Sequence, residues 1–172
     1  VAEIIFNKSI WIDLYTKRKG IKLSEEDMFI LKRGETMNIE LAKERLSFHS
    51  CRNDDINNPK WKNGFLGSLR PFQGKIYEEN FKEIIECLKT LEIKKENIDK
   101  NIVSDIISII HLTRMWVSEK GILGENNLLT NKQTKYLLTW VDIIESCFMY
   151  LLEGASEEAF LDYNDYCDNK YF

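Results

Sequence analysis

The sequence predicts an all-α, single-domain helical bundle over residues 1–172, with long irregular loop connections, and three observations carry this. Apolar residues recur at helical spacing, most clearly at Phe81, Ile84, Ile85, Leu88 and Leu91. No stretch flanked by turn chemistry alternates apolar and polar residues for six positions, except for a possible case at Ile4 to Tyr15, where Ile10, Ile12 and Leu14 alternate. The chain is 172 residues long and 44% hydrophobic, with two prolines and eight glycines. That describes one ordered domain able to bury a core without disulfides or metal.

Ser24 opens the first clear helix, with Glu25, Glu26 and Asp27 in the turn where the helix dipole favours negative charge. It runs through Met37, Leu41 and Leu46 to about His49, with a kink at Gly34. Cys51 to Ile76 is irregular, punctuated by Asp54-Asp55, Asn57-Asn58-Pro59, Gly64, Gly67, Pro71 and Gly74. Tyr77 to about Glu92 is an amphipathic helix. From about Asn97 to Val117 a broad isoleucine-rich face marks a central helix. Thr130 and Gln133 form a capping-box pattern, and Leu137, Val141, Ile144, Phe148 and Leu151 carry the next helix to Gly154. Ser156 caps a last helix, with Phe160, Tyr163 and Cys167 on one face and Glu158, Asp162 and Asp165 on another.

The segment GFLGSLRPFQG, Gly64 to Gly74, has the glycines of a phosphate-binding loop but no Lys-Ser or Lys-Thr after them. A second Gly-x-x-Gly, GILG at Gly121 to Gly124, also sits between helices, which points to a shared structural need. Phe65, Leu66, Leu69 and Phe72 are too apolar to stay in water, so the first loop is expected to fold back over the bundle. Arg70 then either pairs with Asp54 or Asp55 or reaches out to a ligand.

Recognisable chemistry is sparse. The GxSxG, HExxH, GxGxxG and EF-hand patterns are absent, and no metal site or cofactor is expected. Of the two histidines, His111 lies on the isoleucine-rich helix, where a core imidazole is the default; a small enzyme or RNA-acting protein built on His49, His111 and Arg70 is the alternative reading. Cys51, Cys87, Cys147 and Cys167 form neither a CxxC pair nor a disulfide framework and read as reduced, packed thiols. No apolar run approaches the ~20 residues that span a bilayer. The first twenty residues lack a basic region ahead of an apolar core, so a cytoplasmic location is expected.

The net charge of −4 hides an asymmetry. Tyr136 to Asn169 contains eight carboxylates and no Lys or Arg, so the rest of the chain carries +4. A solvated face explains such a run by itself. Interleaved with Tyr150, Tyr163, Tyr166, Tyr171 and Phe172, it also suits docking on a basic protein, with Glu157, Glu158, Asp162, Asp165, Tyr166 and Asp168 as contact candidates. The same charge disfavours direct nucleic-acid binding through this third, and the cluster Lys17-Arg18-Lys19 is too short to reverse that.

Two blocks, RNDDINNPKWKNGFLGSLRPFQGKIYEENF (Arg52 to Phe81) and TRMWVSEKGILGENNLLTNKQTKYLLTW (Thr113 to Trp140), resemble small helical bacterial immunity proteins, including those of contact-dependent growth inhibition systems. The resemblance implies a cytoplasmic, non-catalytic protein that binds a cognate toxin domain and blocks its active site; a monomer is expected. Many such toxins are nucleases with basic clefts, and an RNase of the EndoU type is the first guess. A homo-oligomeric scaffold, with the aromatic C-terminus as self-interface, is a further possibility.

Overall fold

Residues 37–172 form a contact unit of their own, of which the computed structural model describes residues 37–91, 93, 98–169 and 171. The expected start at Ser24, the kink at Gly34, the Ile4–Tyr15 alternation and the Lys17-Arg18-Lys19 cluster lie outside the described residues. In chain order these hold α1 (Ile39–His49), α2 (Pro59–Asn63), a 3-10 turn (Gly67–Leu69), α3 (Glu78–Thr90), α4 (Lys100–Val117), α5 (Ile122–Glu125), α6 (Asn131–Glu153) and α7 (Leu161–Cys167). The described residues contain no strand, and the all-α reading holds.

Caps set the helix boundaries. The Asn38 side chain accepts the Leu41 N–H at 2.9 Å, so α1 starts there and Met37 stays outside it. Asp99 accepts the Asn101 N–H at 2.9 Å and moves the start of α4 to Lys100, three residues later than the apolar pattern suggests. At α6 both halves of the capping box form, and Gly154, at φ 80°, closes the helix in the left-handed region. The last helix differs from expectation: residues 156–160 are turns, and α7 begins only at Leu161. Ser156 therefore does not cap it. Cys167 is exposed, although its thiol still lies beside the Tyr163 hydroxyl.

α1 packs on α3 and α4, and α6 packs on α4, α3 and α7. At their meeting point Phe81 stacks on Trp140 at 5.5 Å, and Tyr163 and Tyr166 meet Phe81 edge-on at 5.8 and 5.3 Å. Such pairs contribute about 0.5–1.5 kcal/mol each beyond their burial. The indole N–H of Trp140 donates to the Tyr166 hydroxyl at 2.9 Å, which in turn bonds Glu78 at 3.2 Å. Cys87 and Cys147 are small core residues whose thiols burial pushes up to about 12.

The Gly64–Gly74 segment is a buried connection: Phe65, Leu66 and Leu69 enter the core. A Cβ on Gly67 would lie 2.1 Å from the Trp61 carbonyl oxygen, and one on Gly121 would lie 2.0 Å from that of Met115. The two Gly-x-x-Gly segments thus meet the same need, backbone crossing backbone at the end of a preceding helix.

Candidate protein-docking face

The polar residues nearest the opening loop are structural. His49, 3% exposed, bonds Glu83 Oε2 through Nε2 at 3.0 Å, while its Nδ1 accepts the Phe65 N–H at 3.1 Å. Accepting at Nδ1 fixes the tautomer, so Nε2–H is the donor to Glu83. Arg45 and Lys60 donate to the same carboxylate at 3.0 and 2.8 Å. Burial raises the Glu83 carboxyl, but the His49 hydrogen bond and the positive charge around it outweigh this and hold it below its ordinary value. Three side chains, two from α1 and one from α2, converge on one carboxylate of α3, and His49 also holds the loop at Phe65.

Those contacts close His49 to a substrate. His111, expected in the core, is exposed on α4, because Ile106, Ile109, Ile110 and Thr113 take the inward positions. Arg70 pairs with neither Asp54 nor Asp55; its guanidinium lies 5.8 Å from the Trp116 ring centre, and both aspartates are exposed. His49, His111 and Arg70 thus occupy three different environments. Among the described residues no group of three or more His, Cys, Asp or Glu could hold a metal ion, and no helix is long and apolar enough to cross a membrane.

The acidic candidates divide in three. Glu157 and Glu158 are exposed in the turns before α7 and make no ion pair among the described residues; Asp168 is exposed at the end of that helix. Asp162 is half-buried and accepts from Ser146 at 2.6 Å, which pins α7 to α6, and Asp165 is also half-buried. Tyr166 is 7% exposed and turned into the aromatic core, so it does not belong to the outer face. Tyr163 is buried too. The exposed apolar residues here are instead Met149 (53%), Tyr150 (45%) and Leu161 (55%). Met149 and Leu161 escaped sequence reading, although Met149 sits off the Leu137–Val141–Ile144–Phe148–Leu151 stripe, the one signal that points it outward.

Charge on α6 opposes its own dipole. Lys132 and Lys135 occupy its first turns and Glu153 its last residue, with no acidic residue in the first turn and no basic residue in the last. α3 does the reverse, with Glu78 and Glu79 first and Lys89 last. Each misplaced charge costs about 0.3–1 kcal/mol of helix stability when exposed. Midway, Arg114 of α4 bonds Asp142 and Glu145. The Glu145 hydrogen bond leads in raising the Arg114 pKa, followed by that of Asp142. This pairing leaves the excess negative charge toward the C-terminal end of α6 and in the turns beyond. No family model, curated protein or solved structure matches the chain.

Proposed function

We propose that the chain is an immunity protein that neutralises a cognate toxin domain with a basic active-site cleft, a nuclease and first of all an EndoU-type RNase, by covering that cleft. The observation that carries the reading is the combination, around the α6–α7 junction, of exposed Glu157 and Glu158 with exposed Met149, Tyr150 and Leu161. Carboxylates steer the encounter with a basic partner, while desolvated apolar side chains supply most of the affinity.

The test is capture of the partner at low salt on immobilised protein, followed by association and dissociation kinetics and an assay of the partner's cleavage. Glu157→Lys with Glu158→Lys is expected to slow association about tenfold and to flatten its salt dependence. Leu161→Ala is expected to act on dissociation. Recovery of no basic partner, or an association rate that ignores both charge and salt, overturns the proposal.

A further inference from the structure

The end of α6 opposite the acidic junction carries a second surface. Gln133 Nε2 donates to the Gly74 carbonyl at 3.0 Å and joins two stretches of chain, residues 64–77 and 126–141. Together these hold Arg70, Lys75, Lys132 and Lys135 and not one carboxylate. Elsewhere among the described residues, Lys43, Arg45, Arg52, Lys60, Lys82, Lys89 and Arg114 pair with Asp or Glu, while the exposed Lys62, Lys100 and Lys120 do not. At this end three cations rest on rings instead: Arg70 at 5.8 Å from Trp116, Lys75 at 4.9 Å from Tyr77 and Lys132 at 5.7 Å from Tyr136.

A ring orders a cation without cancelling its charge. Each of the three thus keeps a full positive charge on a restricted side chain, which lowers the entropy lost when an anion arrives. We propose that this end binds single-stranded nucleic acid, with Arg70, Lys75 and Lys132 on phosphates and Tyr77, 38% exposed, offering a base the ring surface that Lys75 leaves open. The aromatic component favours nucleic acid over an acidic peptide, which has charge to offer but no flat π-face. The surface does not involve the α6–α7 junction, so it stands or falls separately from the docking of a basic protein. Charge counting along the sequence misses it because the four cations come from two segments that only the fold brings together.

The test is fluorescence anisotropy of the full chain with a labelled uridine oligonucleotide of about 12 nucleotides, from about 20 to 150 mM salt. Binding is expected with log K falling against log salt with a slope of about −2, the value for three phosphates on a single strand. Arg70→Ala, Lys75→Ala and Lys132→Ala combined should weaken it at least tenfold and flatten the slope, with the circular dichroism spectrum unchanged. Tyr77→Ala should weaken the oligonucleotide while sparing polyglutamate. No binding at the lowest salt, an unaffected triple variant, or equally tight binding of polyglutamate or phosphatidylserine vesicles overturns the proposal, the last two pointing to an acidic protein or a membrane surface.

Discussion

Glu83→Gln is a small change with a large expected effect, because geometry leaves the amide no acceptable orientation. Oε1 of Glu83 accepts from Arg45 and Lys60, and Oε2 accepts from His49 and Lys60. Glutamine keeps one acceptor oxygen and turns the other position into an NH2 donor. Facing Oε2's partners, that NH2 meets the His49 N–H, and the histidine cannot switch tautomer without setting its Nδ1–H against the Phe65 N–H. Facing Oε1's partners, it meets Arg45. One or two charge-assisted hydrogen bonds are lost either way, at about 1.5–3 kcal/mol each, and Glu83 is 27% exposed, which trims the total to about 2–4 kcal/mol. Urea denaturation at neutral pH measures it. Glu86→Gln on the same helix, whose partner Lys89 is a surface ion pair, should cost under about 0.5 kcal/mol. The pH dependence has a definite sign. A carboxylate with a lowered folded pKa stabilises above its unfolded value and loses that contribution as pH falls through the folded pKa. The wild-type advantage over Glu83→Gln should therefore be full above about 4.5, the ordinary value, and shrink below it. A loss below about 1 kcal/mol at neutral pH, or a gap that does not shrink in acid, would refute the convergence on Glu83.

The Gly-x-x-Gly segments make a sharper comparison: Gly67→Ala and Gly121→Ala drive a Cβ into backbone and should cost about 3 kcal/mol or more, whereas Gly74→Ala meets open space and should cost about 1 kcal/mol for its φ of 85°, all read as shifts in melting temperature. Tyr166→Phe leaves the buried Trp140 N–H without its hydroxyl acceptor and should cost about 1–3 kcal/mol, with a change in tryptophan fluorescence as the local readout. Thiol titration of the native protein should modify Cys167 first, with Cys87 and Cys147 reacting only on unfolding; prompt reaction of either buried thiol would contradict the packing described.

Sequence reading succeeded where a local rule was sufficient. The Phe81–Leu88 stripe, the Thr130–Gln133 box and Gly154 each act within a few residues, and each stands within a residue or two of its expected place. It failed where packing between distant elements decides. Nothing local separates the buried ring of Tyr166 from the exposed one of Tyr150; the difference is that Phe81 and Trp140, far away in sequence, lie against the first. The burial of His49 and the exposure of His111, expected in the core, have the same cause, since the nitrogens of His49 are satisfied by Glu83 and Phe65 while other residues of α4 take the inward positions. The acidic excess was legible, but which carboxylates stay free depended on Arg114 and Ser146, and these reach their partners only through the α4–α6 and α6–α7 packing.

The length of α6 sets how independently the ends of this unit behave. Its 23 residues span about 34 Å at 1.5 Å each, from Lys132 near one end to Glu153 at the other. In physiological salt the screening length is about 8 Å, so some four such lengths of electrolyte separate the basic and acidic ends. Neither end then weakens the field of the other, and charge substitutions at the two should add in their effects. At about 0.01 M salt, where screening reaches about 30 Å, the same two ends become a single dipole, and occupancy of one should be felt at the other.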